Sequence, residues 1–323
     1  MKDGRARGEQ LVEEMYAQRV RRDEPRRPNS LRPSELGHEC TRRLWYRFRW
    51  ADEHETFDGR MLRLFERGQL EEDRFIQELK WVGATVYAQD PDDPMQQIPM
   101  SLWNGQSKGF LDGVAEGVPF ANNEYVLTEF KTHGDKSFKQ LKKDGCAVSK
   151  PTHFAQCQLY MHEHHLKECL YLAVNKNTDE LYAEYFDYDE AYAKRLVQKA
   201  ERIIFRNDIP QRINEQPTFY VCKFCSANKV CHERERPTRS CRTCMHGRPQ
   251  KEGGWICKRH GHELGLPDQK RGCDDHRYHP HLVTGENVAD HREEEVRPNS
   301  SLFRYIYDLP EGQFVDEGPG SDR

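Results

Sequence analysis

The sequence predicts a mixed α/β fold with a cysteine-rich, metal-binding module near its C-terminal end. Helical spacing of apolar residues comes first, and a run of segments that alternate with a period of two follows it. Two helices, a strand pair and a final helix complete the core, and this order favours a mixed sheet flanked by helices. After Pro217, cysteine, histidine and glycine dominate, so we expect that part to fold around metal.

The first quarter of the chain is predicted to be helical. Residues 1–33 form a charged arm that prolines separate from the rest. A helix is expected to begin at Ser34, a favoured N-cap residue, and to continue to Phe48. A longer helix is expected from about Asp58 to Val82, with Gly83 as its stop.

The remaining elements follow from changes of period and from turn residues. The predicted strands are 85–89, 97–103, 109–116, 124–131, 168–175 and 180–187. The predicted helices are 136–143, 152–165 and 190–205. The predicted domains are a core over 34–235, a cysteine- and histidine-rich module over 236–283, and a charged tail over 284–323. The tail is expected to be mostly linker-like, with Leu302–Tyr307 as its docking segment.

Charge and apolar content narrow the class of protein. The 50 basic and 54 acidic residues give a net charge of −4, so any nucleic-acid contact must come from local patches. No apolar run approaches the length of a membrane-spanning helix, and the N-terminus lacks a secretory signal. We therefore expect a cytoplasmic protein of a bacterial or phage-infected cell, with no membrane partner. Eleven cysteines in such a chain favour metal binding over disulfides.

Three residues on two predicted strands form the candidate catalytic site. Residues two apart on a strand share a face, so Glu129 and Lys131 point the same way. Asp112 lies within an otherwise apolar run on the preceding strand. Two adjacent strands would bring Asp112, Glu129 and Lys131 together. The alternative is a solvated strand face, with Asp112 capping a turn.

Phosphodiester hydrolysis uses this combination of groups. Carboxylate oxygens suit Mg²⁺ or Mn²⁺, and we expect Asp112 and Glu129 to bind such an ion. The backbone carbonyl of Phe130 is predicted to be a further ligand. A lysine beside the ion orients the nucleophile and stabilises the charge of the transition state, which is the role we predict for Lys131.

Residues on the flanking helices extend the site. Gly68 in the long helix is expected to permit close backbone approach, since glycine otherwise weakens a helix. Glu72 or Glu71 is expected to add a carboxylate, and we prefer Glu72. Gln156 and Tyr160 are four apart on a predicted helix and share a face, where they can hydrogen-bond DNA or an oxygen of the site. The alternative for each helix is an ordinary solvated surface.

The ordered motifs resemble a known nuclease group. The series Gly68-x-x-x-Glu72, Gly109-x-x-Asp112-Gly113, Glu129-x-Lys131 and Gln156-x-x-x-Tyr160 is similar to the RecB-like branch of the PD-(D/E)xK nuclease superfamily. The resemblance implies a restriction-endonuclease-like core, metal-binding carboxylates, a catalytic lysine and a Gln/Tyr helix. Many relatives carry histidine where Glu72 stands.

A first set of cysteines has metal-ligand spacing. Cys222, Cys225 and Cys231 form C-x2-C-x5-C, and Cys40 is the predicted fourth ligand. One distant N-terminal cysteine with a C-terminal trio resembles the iron–sulfur nucleases of the AddB and Cas types. The resemblance implies a [4Fe–4S] cluster with a structural role. Zinc and unliganded cysteines remain the alternatives.

A second set of cysteines resembles a zinc ribbon or knuckle. Cys241, Cys244, Cys257 and Cys273 are the predicted ligands of Zn²⁺. The second half lacks a close C-x2-C pair, so a histidine is a possible replacement for one thiol; the candidates are His260, His262 and His276. A redox-active or unliganded cysteine-rich segment is the alternative. Basic residues around this set suit phosphate contacts.

The sequence thus predicts a divalent-metal-dependent DNA nuclease. An exonuclease or end-processing enzyme of recombination, repair or phage replication fits best, acting on DNA that is single-stranded or has ends. The G-x-x-x-x-G-K-[ST] motif does not occur, so a helicase or recombination partner would be a separate chain. The alternative is a catalytically degenerate protein of the same fold that binds nucleic acid or a partner.

Overall fold

The structure is a computed structural model that describes residues 4–24, 27–284, 291–295, 303–309 and 312–318. Its contacts divide the chain into two compact units. The first, here called the sheet unit, comprises Met1–Arg26, Glu55–Met100 and Gly109–Lys194. The second, here called the cysteine unit, comprises Arg27–His54, Ser101–Lys108 and Arg195–Arg323.

Helices and strands alternate along the chain much as the periodicity predicts. The helices are α1 (Gly4–Arg22), α2 (Pro33–Leu36), α3 (Thr41–Phe48), α4 (Gly59–Trp81), α5 (Asp135–Ser149), α6 (Pro151–Glu163), α7 (Glu190–Phe205), α8 (Leu266–Arg271) and α9 (Pro280–Thr284). The strands are β1 (Thr85–Tyr87), β2 (Pro99–Leu102), β3 (Ser107–Phe110), β4 (Gly113–Glu116), β5 (Tyr125–His133), β6 (Glu168–Asn175), β7 (Leu181–Asp187), β8 (Gly247–Pro249), β9 (Trp255–Cys257), β10 (His262–Glu263), β11 (His291–Glu295), β12 (Phe303–Leu309) and β13 (Gly312–Asp316). One π-helical turn covers Lys229–Glu233.

A five-stranded mixed sheet forms the centre of the sheet unit. Its strand order is β1-β4-β5-β6-β7. Strands β5 and β6 are parallel, and the other neighbouring pairs are antiparallel. The parallel pair requires a crossover connection, which α5 and α6 provide. The predicted mixed α/β fold is therefore confirmed.

Alternation along β5 and β6 divides their side chains between two helical layers. Phe130 packs against Phe75 of α4, with ring centroids 5.2 Å apart. Tyr171 belongs to a second apolar cluster with Phe138 of α5. Glu129 pairs with Tyr171 in the register of the two strands. The sheet thus presents Phe130 to one layer and Glu129 to the other, because neighbouring strand residues point to opposite faces.

The long predicted helix begins at the expected place. The Asp58 carboxylate caps α4 and accepts a hydrogen bond from the Met61 backbone N–H at 2.7 Å. The predicted helix from Ser34 to Phe48, in contrast, is wrong in the middle, since Gly37–Cys40 separate α2 from α3. Cys40 is the N-cap of α3, and its Sγ accepts a hydrogen bond from the Arg43 N–H at 3.4 Å. This interruption leaves the Cys40 thiol at a helix start.

The predicted strand over 109–116 is also interrupted. Strand β3 ends at Phe110 and β4 begins at Gly113, so Asp112 lies in the bend between them. Its carboxylate accepts a hydrogen bond from the backbone N–H of Phe130 at 2.8 Å. This side-chain contact to β5 takes the place of a strand hydrogen bond just before the β4–β5 ladder starts.

The two ends of the chain are more structured than the sequence predicts. The charged arm contains α1, where Arg19 pairs with Glu66 of α4 at 2.8 Å. The tail was expected to be mostly linker-like, but its described residues form β11, β12 and β13, which pair into one sheet. Tyr305 and Tyr307 are buried in a cluster with Tyr278. Leu302 lies outside the described residues. Among the helices described, none has both the length and the apolar character needed to cross a membrane.

Candidate active site

In the sheet unit, the side chains of Asp112, Glu129 and Lys131 come together at strand β5. Lys131 Nζ forms an ion pair with Glu129 Oε1 and lies 3.5 Å from Asp112 Oδ2. The same ammonium donates a hydrogen bond to the Phe130 carbonyl at 3.0 Å. The predicted metal ligands therefore surround the lysine ammonium, which supplies the positive charge that their oxygens require.

Glu129 is the most constrained of these groups. Its side chain is fully buried, and Oε2 makes no hydrogen bond with any residue that the structure describes. Burial raises the pKa of this carboxyl, and Lys131 opposes the rise, whereas Asp112 and Glu72 add to it. A buried carboxylate oxygen without a donor fits a metal ligand, because an unpaired buried oxygen is otherwise costly.

Glu72 rather than Glu71 turns towards this site. Glu72 lines a cleft together with Lys131, and its pKa is raised to about 7 by burial and then by the charge of Asp112. Glu71 is paired with Arg74 at 3.1 Å. Gly68 was expected to permit close packing. Instead, a Cβ placed there would meet nothing within 4 Å, so this glycine faces the open cleft.

The raised pKa of Glu72 predicts a pH dependence of metal binding. In the metal-free protein the folded-state pKa lies above that of the unfolded chain, so the contribution of Glu72 to stability is complete below about pH 4.5. This contribution is lost as the pH rises through about 7. A divalent cation binds the ionised form. We therefore expect Mg²⁺ or Mn²⁺ to raise the melting temperature more at about pH 8 than at about pH 6.

Thermal unfolding with the cation and with a chelator, at both pH values, measures this difference. In Glu72→Gln the difference should shrink, because residue 72 no longer titrates. An equal metal-induced shift in wild-type protein at the two pH values would contradict the prediction.

Gln156 and Tyr160 lie on one buried face of α6. Gln156 Nε2 donates a hydrogen bond to the Tyr160 hydroxyl at 3.3 Å, as their spacing predicts for a shared face. Burial and then the charges of Glu129 and Asp112 raise the pKa of Tyr160. The Tyr160 phenol thus lies within the electrostatic field of the two carboxylates, and the Gln156 amide donates a hydrogen bond to its hydroxyl.

Two histidines of the site were not predicted from the sequence. His133 and His153 both contact the Tyr171 hydroxyl, at 3.0 and 2.8 Å. Burial lowers their pKa values to about 4 and about 3, so both rings are neutral near pH 7. The signal was present in the periodicity: His133 continues the Glu129, Lys131 alternation, and His153 lies three residues before Gln156 on the same helix face.

The predicted iron–sulfur ligands converge within the cysteine unit. Cys40, Cys222, Cys225 and Cys231 all line one cavity. Cys40 and Cys231 also raise the pKa values of Cys222 and Cys225, after the effect of burial. Each cysteine of a [4Fe–4S] cluster binds a different iron atom, so its thiols stand around a cavity and not around one point.

The second cysteine set is gathered more loosely. Cys241, Cys257 and Cys273 line a pocket with His260, whose Nε2 is 3.8 Å from Cys273 Sγ. Cys244 is buried, and its pKa is raised by burial and by Cys273 and Cys257. His276 is held elsewhere, by Arg239 at 2.8 Å and Thr243 at 3.2 Å. His262 lines the same pocket, so His260 and His262 are both better placed than His276 to replace a thiol.

A metal site requires side chains arranged around one ion, and closeness alone does not provide that arrangement. Over the described ranges, no group of three or more His, Cys, Asp or Glu side chains is arranged to hold a metal ion. At the carboxylates, the Lys131 ammonium stands among the oxygens that would bind one. At the second cysteine set, four sulfurs would have to move to within about 2.3 Å of a common zinc. The metal and cluster ligands therefore stay predictions.

Comparisons with known proteins find distant structural likenesses. No protein-family description matches the sequence, and no curated protein matches it. Similar solved structures include an alkaline exonuclease, LHK-Exo, from Laribacter hongkongensis, with a TM-score of 0.35 and 13% identity over 59% of this chain and 90% of that one. LHK-Exo in complex with dAMP gives a TM-score of 0.35 and 14% identity over the same shares.

SSO0001 gives a TM-score of 0.36 and 13% identity over 68% of this chain and 96% of that one. Similarities this distant carry no functional argument, so the function is inferred from the geometry of the site.

Proposed function

We propose that this chain is a divalent-metal-dependent DNA nuclease. The observation that carries the proposal is the cluster of Glu72, Asp112 and Glu129 around the single ammonium of Lys131. Glu129 is fully buried with an unpartnered Oε2, and full ionisation of the three carboxyl groups would leave two negative charges that the one lysine does not neutralise. Such a site has a chemical need for a further cation.

The proposed roles follow from the contacts of each residue. Mg²⁺ or Mn²⁺ held by Asp112, Glu129, the Phe130 carbonyl and Glu72 would orient the scissile phosphate, activate water and neutralise developing charge. Lys131, which pairs with Glu129 in this structure, would direct its ammonium to the attacking water and the phosphate oxygens once a cation took its place. The Phe130 N–H fixes one oxygen of Asp112, which leaves the other free to bind. Gln156 holds the Tyr160 hydroxyl, and the charges of Glu129 and Asp112 act on that phenol, so we assign the pair a supporting role beside the carboxylates.

The finer assignment rests on the ordered motif series. We propose an exonuclease or end-processing enzyme of recombination, repair or phage replication, acting on DNA that is single-stranded or has ends. Any helicase or recombination partner is a separate chain. We also propose that Cys40, Cys222, Cys225 and Cys231 hold a [4Fe–4S] cluster, and that Cys241, Cys244, Cys257 and Cys273, or His260 in place of one thiol, hold Zn²⁺.

Cleavage assays with two adjacent glutamates test the nuclease proposal. End-labelled linear and circular DNA, single- and double-stranded, are incubated with Mg²⁺ or Mn²⁺. Wild-type protein should cleave DNA, and Glu72→Gln should lower the rate by about 10²-fold, because a proposed carboxylate ligand of the divalent cation is lost. Glu71→Gln is the matched control, since Glu71 pairs with Arg74 outside the cleft.

Absence of cleavage on every substrate would support the alternative of a non-catalytic binding protein. Equal losses in the Glu71 and Glu72 variants would remove Glu72 from the site. Cleavage of circular DNA would argue for an endonuclease and against a strict exonuclease.

A further inference from the structure

A cleft opens beside the carboxylate and lysine cluster in the sheet unit. Its volume is about 540 Å³, and Glu72 and Lys131 form part of its lining. The cleft is much larger than a metal ion or a water molecule requires. Its remaining lining residues therefore bear on what else binds next to the reacting phosphate.

One face of α4 supplies an exposed aromatic ring and a gap. Phe65, Gly68 and Glu72 all line the cleft and follow one another at helical spacing. The Phe65 side chain is 46% exposed, and Phe57 supports it edge-on with ring centroids 4.9 Å apart. No atom lies within 4 Å of a Cβ at Gly68. Helix α4 thus presents the exposed Phe65 ring beside the unfilled part of the cleft at Gly68.

Two lysines add positive charge to the same cleft. Lys150 Nζ donates to the backbone carbonyls of Ser137 and Ser149, at 3.3 and 3.2 Å. The Lys176 backbone carbonyl accepts from the Arg67 guanidinium at 3.1 Å, which brings a third cation to this edge. Neither lysine forms an ion pair with a carboxylate in the part of the chain that is described. Their charge is available to an anion.

We propose that this cleft binds an unpaired nucleotide adjacent to the scissile phosphate. Phe65 stacks on the base, and Lys150 and Lys176 bind the backbone phosphate. A base inside an intact duplex is covered on both faces, so an isolated ring stacks only on a base that is terminal or unpaired. The cleft therefore selects single-stranded or frayed DNA, an inference that rests on the proposed nuclease function for the identity of the ligand.

Binding without cleavage tests this subsite. Fluorescence anisotropy in a chelator compares a labelled single-stranded oligonucleotide with the same sequence as a blunt duplex. Wild-type protein should bind the single strand more tightly. Phe65→Ala should weaken that binding about 10-fold, the scale of one lost base–aromatic stack, and Phe65→Trp should restore it. Trp81→Ala is the matched control, because Trp81 is 73% exposed on the same helix and does not line the cleft.

The salt dependence of DNA affinity distinguishes the contribution of the lysines from that of the Phe65 ring. Lys176→Ala should reduce the slope of log affinity against log salt concentration by about 0.7, the value for one phosphate contact on a single strand. Phe65→Ala should leave this slope unchanged. Equal affinity for the two DNA forms, or a Phe65→Ala variant that binds as wild type does, would overturn the proposal.

Filling the gap at residue 68 tests the cleft by a different route. Gly68→Leu removes a poor helix former and places its side chain in open space, so its melting temperature should be no lower than that of wild type. Its affinity for the single strand should nevertheless fall at least 10-fold. Normal binding by Gly68→Leu would place the DNA elsewhere. Single-strand binding with no cleavage under any condition would refute the nuclease proposal alone and leave the subsite standing.

Discussion

Replacing Lys131 with methionine is expected to lower the rate of DNA cleavage about 10³-fold and to make the stability of the folded protein depend on a divalent cation. Among the described residues, Lys131 is the one cationic side chain within 4 Å of Glu129. Methionine keeps the apolar stem and removes the charge, which leaves a fully buried carboxylate without compensation. Breaking a buried ion pair in this way costs about 3–5 kcal/mol of unfolding free energy.

Urea unfolding and cleavage assays check the two halves of this prediction. In a chelator at about pH 8 the variant should be about 3 kcal/mol less stable than wild type, and Mn²⁺ should restore most of the loss. The deficit should shrink at low pH, since the raised pKa of Glu129 allows it to protonate. The cleavage rate should fall about 10³-fold even with metal bound.

Lys136→Met is the matched control for this variant. Lys136 is an exposed lysine on α5, so neither stability nor cleavage should change by a comparable amount. A metal-free Lys131→Met protein as stable as wild type would show that Glu129 does not need the ammonium.

Replacing Cys225 with serine is expected to remove iron and acid-labile sulfide from the protein. The four cysteines line one cavity, and a cluster there would join the start of α3 to the π-helical turn region far along the chain. A cross-link that closes a loop of this length restricts the unfolded chain by about 4–5 kcal/mol. We therefore expect a comparable fall in the unfolding free energy of anaerobically purified protein.

Metal analysis and absorption spectra of both proteins test the cluster. Cys146→Ser is the control for iron content, because Cys146 is a buried free thiol in the sheet unit. Unchanged iron in Cys225→Ser would contradict the ligand assignment. Zinc in place of iron in wild-type protein would favour the alternative that the cysteine spacing leaves open.

Local patterns in the sequence predicted much of the fold. The long helix α4 and strand β6 both lie where the periodicity placed them. The shared face of Gln156 and Tyr160 is likewise confirmed by their hydrogen bond. These features depend on hydrogen bonds and side-chain directions within a few residues, and a sequence records such short-range relations directly.

Local structure that depends on long-range contacts was predicted less well. Residues 109–116 alternate as one strand, but the hydrogen bond between Asp112 and the Phe130 N–H belongs to a bend. The tail has few apolar residues, yet β12 gains a core by packing Tyr305 and Tyr307 with Tyr278. In both cases a partner distant in the chain decides the local structure, and propensity alone does not identify that partner.

The cluster of Asp112, Glu129 and Lys131 shows where this division falls. The sequence by itself determined the residue types and the common face of Glu129 and Lys131, because a strand repeats every two residues. The tertiary structure alone decided that Glu129 is fully buried, that Glu72 faces the same cleft, and that neutral His133 and His153 stand nearby. Burial and electrostatic shifts depend on everything packed around a group, and those neighbours come from segments that only the folded chain brings together.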